Sequence, residues 1–295
     1  MTFSCENKDD ETIAFMHRTS MECREPIGDV TIPLYTEQNG KTFLCGSGLL
    51  LRVGEKSFIV SAGHTFDARR TLDLPFWVTS GVPGSKLLPL GEVLIRSSET
   101  NDPCYRTDEP FDIAVCELTD ETASQICGQK RFLRLNDVDP WDRQDPRSWF
   151  MVYGYPTKLS PAEEATNSIN ASAVAFATFI YCDERGTLDR FDKEVGIKLD
   201  FDPTGIRDDD GRLAVPPHPD GMSGCGIWRL VEAGVDAKRW KVDDIKLVAI
   251  DHSLRPKKKV LVGTRIRFAL QMIYRNHTEL RSVMEMHFGP NARNL

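Results

Sequence analysis

This chain contains a serine hydroxyl and two side chains of the kinds that could activate it, and each of the three residues lies beside a short apolar run. Ser223 lies in a glycine-rich segment, His64 ends one apolar run, and Asp112 begins another. A serine hydroxyl is a weak nucleophile unless a positioned base removes its proton during attack. His64 is suited to be that base and Asp112 to orient it, and the chain order His, Asp, Ser is one of the known orders for acyl transfer. We therefore predict a catalytic site made of these three residues.

The segment around Ser223 has the composition that stabilisation of an oxyanion requires. Gly221 and Gly224 flank the serine, and glycine lets a backbone turn sharply and approach a ligand without a Cβ clash. Such a turn can direct successive N–H groups at one point, where negative charge develops during acyl transfer. Taken alone, His64 is more typical of a partly buried histidine, Asp112 of a strand start and Ser223 of a turn than of a catalytic residue, so the prediction depends on their combination.

Short strands at regular spacing must position these residues. Apolar runs separated by turn signals are typical of sandwiches and barrels, and we count about six in each half of the chain. The predicted strands are 30–35, 43–53, 57–61, 74–79, 87–95 and 113–118 in the first half, and 149–153, 171–182, 195–201, 226–231, 245–250 and 259–263 in the second.

We expect an all-β protein of two six-stranded antiparallel barrels with helical ends. The predicted ranges are 1–27 for an N-terminal extension with a weak helix at 10–22, 28–135 for the first barrel, 136–147 for a linker, 148–263 for the second barrel, and 264–295 for a C-terminal helix and tail. Thr264 is expected to cap a helix that extends to about Arg275.

The three segments resemble those of the chymotrypsin/trypsin-like serine peptidases (PA clan), in particular the bacterial intracellular type without a disulfide framework. The matching motifs are Ser61-Ala62-Gly63-His64, Asp112-Ile113-Ala114-Val115 and Gly221-Met222-Ser223-Gly224, followed by Cys225 where a second glycine is usual. The resemblance covers about residues 28–275. It implies a chymotrypsin-like fold, a triad of His64, Asp112 and Ser223, and an oxyanion hole formed by the backbone N–H groups of Gly221 and Ser223.

Departures from the family concern activation and substrate choice. Met222 stands where digestive members have the aspartate that pairs with a new N-terminus, so the resemblance implies activity without N-terminal processing. It also indicates Pro217, Asp220, Asp251 and His252 as candidates for the substrate pocket. Pro217 replaces the aspartate by which trypsin selects Arg or Lys. His252 would select acidic or amide side chains and Asp251 basic ones, and a structural role for both stays open.

Composition limits the possible partners. The chain has 295 residues, 40% hydrophobic and 27% charged, with a net charge of −7, which argues against a broad nucleic-acid or anionic-membrane surface. The longest apolar stretch, 171–181, is too short to span a bilayer. The acidic N-terminal segment 1–11 has no apolar core, so we expect no signal peptide.

The cysteines favour a reducing, cytoplasmic compartment. Eight are present without a Cys-x-x-Cys pair, which gives a zinc site little support. We expect no metal and no organic cofactor, because the serine peptidase mechanism that the resemblance implies needs neither. Secreted members of the family pair a cysteine after the catalytic histidine with one on the preceding strand. Here Cys45 could be the strand partner, but Thr65 follows His64, and that bridge cannot form.

The predicted function is a serine endopeptidase that acts on protein or peptide substrates. Unrestricted proteolysis would harm its own cell, so we expect regulation, with a regulatory protein as a possible partner. The resemblance to bacterial members suggests a role in stress or anti-phage defence. The alternative is a catalytically silent trypsin-like fold that serves as a protein-binding module.

Overall fold

Short β-strands dominate the parts of the chain that the computed structural model describes, which are residues 10–67, 74–79, 85–90, 94–97, 111–163, 168–182, 191–202 and 217–295. The strands are β1 Thr31–Gln38, β2 Lys41–Val53, β3 Lys56–Ser61, β4 Phe76–Val78, β5 Ser85–Lys86, β6 Leu88–Pro89, β7 Leu94–Ser97, β8 Ala114–Glu117, β9 Trp149–Gly154, β10 Ala162–Glu163, β11 Ser168–Ile169, β12 Val174–Thr178, β13 Gly196–Asp200, β14 Gly226–Val231, β15 Lys246–Arg255 and β16 Val260–Arg265. The α-helices are α1 Asp10–Gly28, α2 Asp120–Cys127, α3 Arg267–Asn276 and α4 Arg281–Phe288. Turns of 3-10 helix lie at Gly63–Phe66, Leu135–Asp137, Thr157–Leu159, Val242–Asp244, Thr278–Leu280 and Gly289–Asn294.

The first half of the chain forms an antiparallel sheet with the strand order β6-β4-β1-β2-β3-β8-β7. β3 pairs with β8 so that Ser61 lies opposite Ala114. Because these strands run in opposite directions, the end of β3 and the start of β8 meet at one edge. His64 follows β3 and Asp112 precedes β8, so this register brings the two residues together.

The second half forms a six-stranded antiparallel sheet with the order β12-β9-β14-β15-β16-β13. β14 begins directly after the loop that contains Ser223 and lies between β9 and β15. β15 pairs with β16, and Thr264 lies opposite Ile250. A small third sheet pairs β5 of the first half with β11 of the second.

A shared hydrophobic core joins the two large sheets. Its buried members include Leu49, Leu51 and Val60 of the first sheet, Met151, Trp228 and Ile250 of the second, Ile27 of α1 and Leu270 of α3. Burying one such side chain contributes about 1.5–3 kcal/mol. The helices at both ends of the chain therefore pack over the junction between the sheets.

The prediction of an all-β protein with two successive antiparallel sheets and helical ends is confirmed. In the described residues the first sheet is built from seven short strands. The prediction that Thr264 caps a helix is wrong, because β16 continues to Arg265 and Ile266 occupies the N-cap position of α3. The domain ranges stay a prediction, and residues 1–9 of the extension lie outside the described residues. Within the described ranges no helix is long and apolar enough to cross a membrane.

Candidate active site

His64 and Asp112 form a hydrogen-bonded pair at the edge of the first sheet. The Nδ1 atom of His64 lies 2.5 Å from Oδ2 of Asp112, and the backbone N–H of His64 donates to Oδ1 at 3.1 Å. The Asp112 side chain is 1% exposed and that of His64 26%. Because the carboxylate engages Nδ1, the ring is held in one orientation and Nε2 remains to exchange a proton. The residues predicted as base and orienting acid therefore lie together.

Thr264 of β16 supports Asp112 from the second sheet. The backbone N–H of Asp112 donates to the Thr264 hydroxyl at 3.0 Å, and that hydroxyl lies 3.4 Å from the Asp112 carbonyl oxygen. Both residues are buried. This role was missed from the sequence because a threonine before a helical pattern is typical of an N-cap. The contrary signal was the apolar run 260–262 that precedes it, which contains two β-branched valines.

Ser47 of β2 holds residues 217–225, which we call the Ser223 loop. Its N–H donates to the Ser223 carbonyl oxygen at 2.8 Å, and its hydroxyl donates to the Gly221 carbonyl oxygen at 3.3 Å. The same hydroxyl accepts the N–H of Tyr155 at 3.0 Å. One buried residue of the first sheet thus fastens the loop at two points. The sequence signal for this role was faint: a serine between two glycines in an apolar strand.

Replacing Ser47 by alanine is expected to lower kcat about tenfold while the fold is kept. The variant loses the hydroxyl contacts with Gly221 and Tyr155, and one net hydrogen bond is worth about 0.5–1.5 kcal/mol. It keeps the backbone bond to Ser223. Steady-state kinetics on a peptide substrate measures the effect, with Ser282→Ala on an exposed position of α4 as control. An unchanged kcat would show that the loop does not need the hydroxyl.

Gly224 lets the Ser223 loop approach the end of β3. Its φ is +89°, and a Cβ atom there would lie 2.0 Å from Ser61 Oγ and 2.2 Å from the Ser47 carbonyl oxygen. This contact places the loop against Ser61, which lies three residues before His64 in the sequence. Within the described residues, the Ser223 hydroxyl and His64 make no hydrogen bond with each other. In enzymes without substrate, such bonds are often long.

Within residues 221–225, the backbone N–H groups of Gly221 and Ser223 have no acceptor among the residues that the structure describes. Three others donate to backbone carbonyl oxygens, those of Met222, Gly224 and Cys225. The carbonyl oxygen of Asp220 accepts the N–H of Thr157 at 2.7 Å. Since C=O and N–H point in opposite directions in a trans peptide, the Gly221 N–H points away from Thr157. The two N–H groups predicted for an oxyanion hole are therefore unused.

The four predicted pocket residues lie in different environments. Pro217 is half-buried, and Asp220 is exposed and pairs with His218, with Oδ1 and Nδ1 2.9 Å apart. Asp251 and His252 are buried in β15. The backbone of Asp251 bonds to the Ser223 loop through its carbonyl oxygen at 2.7 Å and its N–H at 2.8 Å. The part of these residues in substrate selection stays a prediction.

Burial disfavours the charged forms of both Asp251 and His252. It raises the pKa of the Asp251 carboxyl well above the ordinary 3.8. It lowers the pKa of His252 from 6.5 to about 4, an effect that the Asp112 carboxylate opposes and that His64 and Arg255 reinforce. Two neighbouring groups that titrate in water are therefore held toward their neutral forms beside the Ser223 loop.

Asp251→Asn is expected to raise the free energy of unfolding near pH 7. Because the folded-state pKa of this carboxyl is raised, its stabilising contribution is present below pH 3.8 and is lost as the pH rises through the folded-state value. Each unit of upward shift corresponds to about 1.4 kcal/mol. Urea unfolding between about pH 4 and pH 8 should show that the free energy of unfolding of the variant exceeds that of the unchanged protein by an amount that grows with pH. A loss of stability at pH 7 would mean that the carboxylate is ionised and paired.

The thiols near the site are not arranged for disulfide formation. A Cβ atom at Gly46 would lie 2.7 Å from Thr65 Cγ2, so Gly46 and not Cys45 faces that residue. Sγ of Cys45 lies 3.2 Å from the Leu34 carbonyl oxygen instead. Burial raises the pKa of the Cys225 thiol well above its ordinary value, which disfavours the nucleophilic thiolate. The described residues contain no cluster of three side chains suited to a metal ion.

Comparison with known proteins gives similarity in structure but not in sequence. No family model and no curated protein match this chain. It is similar to the crystal structure of a thermostable serine protease, AL20, from an extremophilic microorganism, with 13% identity over 81% of this chain and 91% of that chain and a TM-score of 0.45. It is also similar to the tobacco vein mottling virus protease, with 10% identity over 82% of this chain and 78% of that chain and a TM-score of 0.43.

Proposed function

We propose that the chain is a serine endopeptidase that cleaves protein or peptide substrates through an acyl-enzyme on Ser223. The observation that carries the proposal is the pair of His64 and Asp112, with Nδ1 and Oδ2 2.5 Å apart. A buried carboxylate that engages histidine Nδ1 is the arrangement by which Ser-His-Asp hydrolases hold their base. The neighbouring Ser223 loop contains the N–H groups of Gly221 and Ser223, which have no acceptor among the described residues, and it adds the other parts that acyl transfer requires.

In the proposed acylation step, the Ser223 oxygen bonds to the scissile carbonyl carbon while its proton passes to Nε2 of His64. Asp112 stays ionised and stabilises the imidazolium that forms. The carbonyl oxygen becomes an oxyanion, which accepts hydrogen bonds from the N–H groups of Gly221 and Ser223. When the carbon–nitrogen bond breaks, His64 returns the proton to the leaving amine.

In the proposed deacylation step, water takes the place of the amine. His64 removes a proton from this water as the oxygen attacks the acyl carbon, and the same two N–H groups stabilise the second oxyanion. The bond to Ser223 breaks, and the serine oxygen recovers its proton from His64. Every proton in these steps passes between Ser223, His64, the leaving amine and the attacking water, so no cofactor is required.

Activity is proposed not to depend on a new N-terminus. Met222, directly before the serine, is buried and apolar, so this position offers no carboxylate to pair with an amino group. We propose instead that a regulatory protein inside the cell controls the activity, and that the substrates are a small set of proteins. A role in stress response or defence belongs to this proposal and follows from the resemblance of the motifs.

A fluorophosphonate probe tests the proposal, because it reacts only with an activated serine. We expect the chain without N-terminal trimming, as verified by intact mass, to be labelled at Ser223, and Ser223→Ala to remain unlabelled. Ser282→Ala, at an exposed serine of α4, is the matched control and should label normally. Absence of labelling in both the pure folded protein and native lysate would favour a protein-binding module, and labelling in lysate alone would indicate an activating partner.

A further inference from the structure

A cavity of about 470 Å³ lies between the end of α1, β14 and the segment that precedes β15. This volume is within the range of about 300–1,000 Å³ that is typical of ligand clefts. None of the residues of the candidate active site lines the cavity, so it is a separate feature of the molecule. Its floor is formed by the apolar residues Ile27, Leu133, Trp228, Val242 and Ile245.

Carboxylates also line this cavity, and two of them are unpaired. Asp137 is neutralised by Arg131, with Oδ2 and Nη1 3.3 Å apart. Glu25 and Asp243 are exposed, and their side chains make no ion pair with a residue that the structure describes. An apolar floor beside unpaired negative charge fits a lysine side chain, whose stem covers apolar surface while its ammonium group stays near water.

The hairpin between β15 and β16 presents such side chains at residues 255–259, which we call the basic tip. Lys257 and Lys258 are exposed, and neither ammonium group has an ion-pair partner in the described ranges. The tip is closed by the N–H of Lys258, which donates to the Arg255 carbonyl oxygen at 3.0 Å, and by that of Lys259, which donates to Pro256 at 3.2 Å. A turn that is already ordered loses little conformational freedom when it binds.

The basic tip and the cavity lie at opposite ends of β15. Ile245, which lines the cavity, directly precedes this strand, and the tip begins at the last strand residue, Arg255. A strand rises about 3.3 Å per residue, so the ten residues of β15 separate the two features by roughly 30 Å. The tip therefore cannot enter the cavity of its own molecule, but it can enter that of a second copy.

We propose that this chain associates head to tail, with the basic tip of one copy in the cavity of the next copy. The stems of Lys257 and Lys258 lie on the apolar floor, and their ammonium groups pair with the carboxylates of Glu25 and Asp243. Because the two surfaces differ, the contact is heterologous and continues into a ring or an open chain. A contact of this size is weak, so association depends on protein concentration. This inference goes beyond the proposed function.

Sedimentation velocity of the unchanged chain tests this association. We expect the sedimentation coefficient to rise with protein concentration at low salt and to rise less at high salt, because salt screens exposed charges. Lys257→Glu combined with Lys258→Glu should weaken association at least about tenfold, since two exposed ion pairs become repulsive. Lys41→Glu combined with Lys193→Glu makes the same change in net charge at exposed lysines outside the tip, and this control should associate as the unchanged chain does.

An exchange of charges identifies the two surfaces as partners. Glu25→Lys combined with Asp243→Lys should weaken association as the tip variant does. A mixture of this cavity variant with the tip variant should associate again, because the reversed tip then meets a reversed cavity and the original tip meets an original cavity. Only folded copies can complement each other in this way, so recovery also shows that neither variant has lost its fold.

Three results would overturn the inference. A chain that stays monomeric at every concentration in low salt would leave a basic segment of another protein as the occupant of the cavity. Association that the tip variant does not weaken would place the contact on another surface. Weakened variants that do not recover on mixing would show that tip and cavity are not partners. The measurement uses no substrate, so a failure of fluorophosphonate labelling would contradict the proposed function alone.

Discussion

Alanine at Ser223 or at His64 is expected to lower kcat for a peptide substrate by about 10⁶-fold, and asparagine at Asp112 by about 10⁴-fold. The first two changes remove the nucleophile or the base itself. Asp112→Asn keeps the shape of the side chain, but an amide can present its NH₂ group to Nδ1 of His64 and so favour the wrong tautomer. Because the three residues act as one unit, the double variant of Ser223 and His64 should be no slower than either single variant.

Steady-state kinetics and active-site titration measure these losses, and thermal unfolding checks that the variants fold. His287→Ala and Asp120→Asn replace exposed residues of the same types and should leave kcat unchanged. If Asp112→Asn lowered the melting temperature but not kcat, the carboxylate would only fasten the backbone N–H of His64. Full activity of Ser223→Ala would place the nucleophile elsewhere.

The meeting of His64 and Asp112 could be predicted because it follows from local patterns. Two apolar runs of strand length each carry one of these residues at an end, and antiparallel pairing of neighbouring strands brings such ends together. The observed register, with Ser61 opposite Ala114, does this. That one antiparallel sheet follows the other along the chain could likewise be predicted, from the spacing of short strands and turns.

The residues that hold the site could not be predicted, because their partners are distant in sequence. The Ser47 hydroxyl bonds to a carbonyl 174 residues away, and Thr264 bonds to Asp112 across 152 residues. No period or motif in a single strand indicates such a partner. The β-bulge at His252, which lies between the pairs Asp251–Gly263 and Ser253–Val262, could not be predicted either, since it depends on how β15 and β16 pair. Local pattern therefore predicted that His64 and Asp112 meet, whereas tertiary packing determined which residues hold them and the Ser223 loop.

Tertiary packing also extends α1 beyond its predicted end. The segment after residue 22 has weak helical preference and contains Pro26. Cys23 and Ile27 are fully buried in the core between the sheets, and this burial favours the helix through to Gly28. The same junction brings Ser47 of the first sheet to the Ser223 loop of the second. A change that separates the sheets should therefore reduce catalysis before it unfolds either sheet.

Gly221→Ala is expected to lower kcat about 10²- to 10³-fold, the loss typical of one missing oxyanion donor. Its φ is +91°, and a Cβ atom there would lie 2.5 Å from Thr157 Oγ1 and 2.8 Å from the Thr157 backbone N. That nitrogen donates to the carbonyl oxygen of Asp220, in the peptide that carries the Gly221 N–H. Relief of the clash must therefore rotate or move this peptide, and the N–H group leaves the position that we propose for an oxyanion donor.

Gly234→Ala separates this effect from the cost of the backbone conformation alone. Gly234 has a φ of +85°, and a Cβ atom there would meet nothing within 4 Å. Both variants should lose about 1–2 kcal/mol of unfolding free energy from the left-handed conformation, but only Gly221→Ala should lose activity in its folded fraction. Equal kcat for the two variants would mean that the N–H of Gly221 does not take part in catalysis. A loss confined to Gly221→Ala, with labelling of Ser223 slowed in proportion, is the result that an oxyanion donor requires, because acylation by the probe develops charge at the same place.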